Sequence, residues 1–283
     1  MYDTLQPDLI TATPTQRAMM KQDPTYVVEK SMFLQNSFPY LEVRRPFILG
    51  TQKQRWKATI AHRFAELLHV KTDKLARVYT QNIDGLDGQC DGIPEEKIVS
   101  VHGTISRASC EVCKTVVEFD EFCKDVKKNI RDIYSHDADG GAPSKSTPIL
   151  CPSCGRATVK PDTVLFGSSL PMEFFERTEE DLPQLDLLLV VGTSLLVSPA
   201  NGLVRGVRDD CIRVVVNRDA VGTELGIQYA PNGGFVHGRD CFARGNCEQI
   251  FLELIQYLGW MDDLKLIAHK LPESSRALLT EYG

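Results

Sequence analysis

The run Leu187-Leu-Leu-Val-Val191, broken off by Gly192-Thr193-Ser194, constrains the fold of this chain more than any other stretch. A continuous apolar run without alternation marks a strand buried on both faces, as in a parallel sheet covered by helices. The same pattern recurs. Leu75 to Tyr79 reads as a strand leading into Thr80-Gln81-Asn82-Ile83-Asp84, and Ile98-Val-Ser-Val101 runs into His102-Gly103. Val164 to Phe166 is a short apolar run ending in Gly167, and Ile212 to Val216 is a β-branched strand ending in Asn217. One polar ending is an ordinary turn; a series of them on the carboxyl side predicts a ligand crevice, because open parallel sheets bind ligands there.

Composition limits the ligand. The 283 residues carry a formal charge of −6, with Lys and Arg scattered, so no basic stripe suited to nucleic acid is present. A mildly acidic surface suits a cationic partner such as a lysine-bearing peptide, but ordinary solubility is the better account of it. No apolar run approaches the roughly 20 residues of a membrane helix, and the first residues lack a signal-peptide profile. An intracellular protein, cytoplasmic or nuclear, is expected. Nine cysteines, an odd number, then argue for thiols or metal ligands rather than a disulfide framework.

Residues 1 to about 40 are weakly periodic, and Pro7, Pro14, Pro24 and Pro39 are expected to divide them into short helical pieces. Ala61, Phe64, Ala65 and Leu68 recur at helical spacing and predict an amphipathic helix ending near His69. His62, beside that apolar face, reads as a packed or capping histidine. Further on, Cys110-x-x-Cys113 and Cys151-x-x-Cys154 have the knuckle spacing that brings two sulfurs of each pair to one tetrahedral zinc. Residues 114 to 150 exceed the usual separation of roughly 15 to 20, and Asp137 to Pro148, polar and rich in Gly, Ser and Pro, reads as an insertion. Cys123 could be an alternative ligand, and reduced thiols or a redox pair remain the other reading. With four thiolates, no position stays open for water, so the metal would be structural, one per chain.

The expected architecture is α/β: a Rossmann-like doubly wound parallel sheet with a small zinc-binding module. Residues 1–106 and 158–260 would form the Rossmann-like domain, with a helical segment over 5–70. Residues 107–157 would form the inserted module, and 261–283 a tail, helical around Leu264 to Leu271. Gly192 lets a ligand approach the backbone, while Thr193 and Ser194 either cap the next helix or offer hydroxyls and N–H groups to a phosphate or ribose. Neither G-x-G-x-x-G nor G-x-x-x-x-G-K-[ST] occurs.

Taken together, Thr80-Gln-Asn-Ile-Asp84, His102-Gly103, the paired Cys-x-x-Cys, Lys160-Pro-Asp-Thr-Val-Leu-Phe-Gly167, Gly192-Thr-Ser-Leu195, Val216-Asn217, Gly245-Asn-Cys247 and Leu258-Gly-Trp260 resemble the sirtuins. These are NAD-dependent protein deacylases, and the motifs follow the family's order over residues 75 to 260. The resemblance implies a protein-lysine deacetylase or deacylase that transfers an acyl group to ADP-ribose and releases nicotinamide, with an acyl-lysine peptide or protein as partner. His102 would be the general base, a role to which imidazole chemistry is suited near neutrality. Asn82 and Asp84 would share the catalytic work at the nicotinamide ribose, with Gln81 and Ile83 beside the cofactor. Gly192, Thr193, Ser194, Asn217, Arg218 and Cys247 would contact NAD, Cys247 through its backbone. Val164, Leu165 and Phe166 would form the acyl-lysine tunnel, and the backbone around Gly167 would pair with the substrate peptide as an added strand. Cys90, Cys211 and Cys241 read as structural.

Two departures carry expectations of their own. Ser168 stands where family members commonly have Glu after Phe-Gly. The family's Gly-Ala-Gly-Ile-Ser loop and Pro-Asp-Phe-Arg are absent, and Met1-Tyr-Asp-Thr-Leu5 resembles the segment just after them. The resemblance therefore implies an upstream extension carrying the first strand and a pyrophosphate cradle, with weak turnover and poor solubility for these 283 residues by themselves. The alternatives are a truncated binding or regulatory module, and an ADP-ribosyltransferase or NAD hydrolase using another nucleophile.

Overall fold

The computed structural model describes residues 5–135, 141–231 and 234–282. Met1 to Thr4, and Asp137 to Gly140 at the start of the polar insertion, lie outside the described residues. In chain order, helices α1 (Pro14–Gln22), α2 (Lys30–Gln35), α3 (Phe38–Gln52) and α4 (Ile60–Thr72) precede strands β1 (Val78–Thr80), β2 (Ile98–Ser100), β3 (Gly103–Cys110) and β4 (Val116–Val117). Next come α5 (Phe119–Asn129), β5 (Val159–Thr163), α6 (Met172–Asp181), β6 (Leu187–Val191), α7 (Leu203–Gly206), β7 (Ile212–Asn217), β8 (Phe235–Val236) and β9 (Asp240–Arg244). Helices α8 (Cys247–Tyr257), α9 (Met261–Leu266) and α10 (Glu273–Tyr282) follow. The chain divides into two compact units, Met1–Trp56 with Asn82–Gly85 and His102–Leu170, and Lys57–Gln81 with Leu86–Val101 and Pro171–Gly283.

The first unit is built on α3. Pro39 was expected to end a helical piece; it instead sits in the first turn of this helix, where the missing N–H has no intrahelical partner to lose. Tyr40, Leu41, Val43, Ile48 and Leu49 share one core with Ile105 and Ala108 of β3 and Phe122 and Val126 of α5. Each fully buried side chain of this kind contributes roughly 1.5–3 kcal/mol. Two of the charged side chains that α3 buries are held by hydrogen bonds. Glu42 accepts from the Thr11 N–H at 2.8 Å and the Ser146 hydroxyl at 2.5 Å, and Arg45 donates to the Ile130 carbonyl at 2.8 Å. Strand β3 is flanked by β4 and β5, both antiparallel to it.

In the second unit β1 pairs in parallel with β2, and a four-stranded sheet runs β6-β7-β9-β8, with β6, β7 and β9 parallel and β8 antiparallel. A bidentate pair of Arg213 and Asp240, at 2.6 and 2.7 Å, clasps β7 to β9. Helices α4 and α8 pack together through stacked Phe64 and Phe251 rings, 4.6 Å between centroids, a geometry worth about 0.5–1.5 kcal/mol beyond area burial. Helix α4 extends one turn past the expected His69, and His62 closes a capping box with Thr59, as a capping histidine should. The tail is helical at Leu264 as expected, and α10, which periodicity did not indicate, places Leu279 in the same core as Leu264 and Leu271. Cys90 and Cys211 are buried and Cys241 is half-buried.

Three strand expectations need correction. The strand expected from Leu75 begins at Val78, because the Leu75 carbonyl accepts from the Lys97 ammonium at 2.7 Å rather than from a neighbouring strand. The apolar run Val164 to Phe166 is not itself a strand; β5 ends at Thr163, and Phe166 makes only an isolated parallel bridge to Glu29. Most tellingly, Leu187 to Val191 is not buried on both faces. Among the described residues β6 pairs on one side only, and Leu187 and Val191 are 48% and 37% exposed. An apolar open edge of this kind is a template for strand addition. No helix among the described residues is long and apolar enough to cross a membrane.

Candidate active site and thiolate cluster

The two Cys-x-x-Cys pairs converge in the first unit. All four sulfurs lie within 4.8 Å of one another, with Cys110 Sγ 3.7 Å from Cys154 Sγ and Cys113 Sγ 3.5 Å from Cys151 Sγ. A tetrahedral zinc with Zn–S distances of about 2.3 Å would separate its sulfurs by about 3.8 Å, whereas a disulfide needs about 2.05 Å. The two turns are built alike: the Lys114 N–H donates to the Cys110 carbonyl at 2.9 Å and the Gly155 N–H to the Cys151 carbonyl at 3.0 Å. Lys114 and Gly155 are both left-handed, at φ 60° and 70°. Hydrogen bonding from the Thr115 hydroxyl, then from its backbone, lowers the Cys113 thiol to about 6, whereas the Cys154 thiol is raised, the neighbouring thiols contributing. Four soft donors at these spacings fit zinc and leave no open coordination position. Cys123 is buried in α5 and stands outside the cluster.

Also within the first unit, backbone hydrogen bonds tie three predicted segments to one β frame. The Ile105 N–H of β3 donates to the Ile83 carbonyl at 2.7 Å, which fixes the loop bearing exposed Asn82 and half-buried Asp84. The Val164 N–H donates to the His102 carbonyl at 2.9 Å. Thr163, just before, is held by the buried Tyr40 hydroxyl at 2.6 Å. Leu165 points into the core at 2% exposure while Phe166 is 51% exposed, the alternation of an extended segment. The Phe166 N–H and carbonyl are engaged by the Val28 carbonyl and the Lys30 N–H, both at 3.0 Å. A peptide adding to this segment therefore has to use neighbouring groups such as Gly167, which stands at φ 81° with open space where a Cβ would be. The Ser168 hydroxyl is shielded from solvent and has no hydrogen-bond partner among the described residues.

Gly103, after His102, is held by contact as well as by conformation. Its φ is 74°, and an added Cβ would lie 1.8 Å from the Asp162 carbonyl oxygen. Gly103→Ala is therefore expected to destabilise the chain by more than about 3 kcal/mol, strain and clash together. Gly259→Ala, at φ 73° with nothing within 4 Å, provides the control with strain alone. Equal urea midpoints for the two variants would contradict this account.

The second unit gathers the other predicted residues at the carboxyl ends of its strands. Gly192 follows β6 at φ 58°, and its N–H donates to the Val216 carbonyl at 3.0 Å. Asn217 Nδ2 donates to the Thr193 carbonyl at 3.0 Å, and Cys247 Sγ to the Val216 carbonyl at 3.5 Å. Gln81 Nε2 reaches Thr193 Oγ1 at 3.3 Å. The Arg218 N–H donates to Asn217 Oδ1 at 2.9 Å, and Ser194 is exposed. The expected helix cap is absent: Thr193 Oγ1 instead accepts from the Leu195 N–H at 3.1 Å, closing a turn, and the next helical residues begin at Ala200. Exposed Gly192 and Ser194 and the half-buried Asn217 amide thus cluster just after the carboxyl ends of β6 and β7. The sequence did not signal Tyr40, whose hydroxyl meets Thr163, or Glu111, whose carboxylate meets Lys160 at 3.2 Å; both contacts emerge only from the fold.

A family model described as the Sir2 family matches residues 15–199. The NAD-dependent protein deacetylase hst2 of Schizosaccharomyces pombe is 32% identical over 256 residues, 90% of this chain and 65% of the relative. The NAD-dependent protein deacetylase sirtuin-2 of Danio rerio is 31% identical over 270 residues, covering 91% and 65%. The NAD-dependent protein deacetylase sirtuin-3 of Mus musculus is 32% identical over 241 residues, covering 85% and 62%. The chain thus spans less than two thirds of the length of each of these relatives.

Proposed function

This chain belongs to the Sir2 family, and on that premise we propose that it is an NAD-dependent protein-lysine deacetylase, removing an acyl group from lysine and passing it to ADP-ribose. One observation carries the reading: His102 and Val164 are joined by a 2.9 Å backbone hydrogen bond, so the proposed base and the proposed acyl-lysine segment share one rigid frame. Bound NAD would supply an electrophilic ribose carbon with nicotinamide as its leaving group. The chain's own work is then positional and protolytic. His102 accepts a proton from a ribose hydroxyl, Asn82 and Asp84 orient that ribose, and Gln81 and Ile83 border it. Gly192, Thr193, Ser194, Asn217, Arg218 and Cys247 hold the cofactor, and Val164, Leu165, Phe166 and Gly167 hold the acyl-lysine. Residues 107–157 form the metal module, in which Cys110, Cys113, Cys151 and Cys154 bind a structural zinc.

An intracellular compartment, cytoplasmic or nuclear, accords with nine cysteines that are all free in the structure. The test is nicotinamide release from NAD by the purified chain with and without an acetyl-lysine peptide. Release that requires the peptide is the expected result. Release that proceeds equally without it would transfer the chain to the NAD hydrolases or ADP-ribosyltransferases.

A further inference from the structure

Inside the first knuckle, Glu111 turns its carboxylate inward, where its side chain is 8% exposed and three lysines meet it. Lys160 Nζ lies 3.2 Å from Oε2, while Lys114 Nζ and Lys30 Nζ lie 3.4 and 3.5 Å from Oε1. Two of these lysines also hold the segment Thr163 to Phe166. The Lys160 ammonium, itself 4% exposed, donates to the Thr163 carbonyl at 2.7 Å and to the Pro161 carbonyl at 3.1 Å. The Lys30 N–H donates to the Phe166 carbonyl at 3.0 Å. Glu111 is fixed in turn, because its N–H donates to the Thr158 carbonyl at 2.8 Å, just before β5. A buried ammonium whose carboxylate is removed must find other partners or lose its charge, and the hydrogen bonds left to Lys160 among the described residues go to the Pro161 and Thr163 carbonyls of its own segment, with the Asp162 carboxylate nearby.

We propose that Glu111 is a positioning residue: through Lys160 and Lys30 the zinc knuckle sets the conformation of Thr163 to Gly167, and so the affinity of the site for the acyl-lysine peptide. The inference rests on the deacetylase reading for its substrate but not for its physical content. A knuckle residue without a role in metal binding thus acts on the segment that takes the substrate.

Glu111→Gln keeps the shape and removes the charge. The test uses the full chain with its zinc content measured, and follows amide hydrogen exchange together with steady-state kinetics. Exchange at Val164 and Phe166 is expected to accelerate about 10-fold, the size of one hydrogen bond to a charged group, with β7 unchanged. The KM for an acetyl-lysine peptide is expected to rise by a similar factor, while kcat and the KM for NAD stay within about 2-fold. Lys160→Gln, outside the knuckle, should produce the same local acceleration with the zinc retained. Unchanged exchange at Val164 and Phe166 in both variants overturns the proposal, and so does acceleration spread evenly over β3, β4 and α5. If neither the parent chain nor the variants turn over peptide, the deacetylase reading fails while the exchange result still decides the role of Glu111.

Discussion

His102→Ala is expected to lower peptide-dependent nicotinamide release by about 10²- to 10⁴-fold, the usual contribution of a positioned general base. The expectation rests on where the backbone places this residue. Its carbonyl is fixed by Val164 and its successor, Gly103, is clamped against Asp162, so the ring departs from a rigid turn and the substitution should leave the fold intact. Peptide binding is expected to persist, since alanine removes none of the backbone hydrogen bonds that hold Val164 to Gly167. The measurement is steady-state nicotinamide release over many turnovers, because the base acts on the ribose hydroxyl after nicotinamide has left, with thermal unfolding of the variant as the structural control. A variant that folds and releases nicotinamide at the parent rate would remove His102 from the mechanism. The same loss with a collapsed thermal midpoint would call for His102→Gln before any conclusion.

Removal of the metal is the second large effect. Freshly purified reduced protein is expected to carry one zinc per chain, and Cys113→Ala or a strong chelator is expected to melt the module around the knuckles. Structural zinc in small peptides contributes an apparent 10–16 kcal/mol of binding free energy, as much as the whole stability of an ordinary domain. The two turns that carry the sulfurs have little regular structure of their own, although α5 packs on α3. Strand β4 has two residues, and the second knuckle is closed by backbone hydrogen bonds within residues 151–156. Metal analysis by mass spectrometry, with amide exchange before and after chelation, checks the expectation. Protein isolated without zinc, or exchange in residues 107–157 indifferent to chelation, would refute the four-thiolate reading.

Local chemistry was legible in the sequence wherever a short spacing determines a local shape. The four zinc ligands follow from two Cys-x-x-Cys pairs, since that turn presents both sulfurs to one point, and they do converge within 4.8 Å. His62 was legible as a capping residue for a similar reason: it stands three residues after Thr59 at the start of an apolar periodicity. The polar residues after β1, β6 and β7 were legible because each apolar run stops where hydrogen-bonding side chains begin. Membership of the Sir2 family followed from the order of these motifs and is carried by the match over residues 15–199.

Tertiary structure decided whatever depends on a partner distant in sequence. Leu187 to Val191 has the composition of a central strand, but burial is set by what pairs with it and covers it, and its outer side carries no strand among the described residues. Gly103 is just a glycine after a histidine until the chain returns as β5 and brings the Asp162 carbonyl to within 1.8 Å of where a side chain would begin. Glu111 has no sequence signature; its meeting with Lys30, Lys114 and Lys160 draws one partner from 81 residues upstream and another from 49 downstream, that is 111 − 30 and 160 − 111. Residue spacing therefore determined the thiolate centre, the His62 cap and the polar endings of β1, β6 and β7, because backbone geometry repeats over a few residues. The clamp on Gly103, the open edge of β6 and the charge cluster at Glu111 required the fold, because only long-range packing brings those groups within reach of one another.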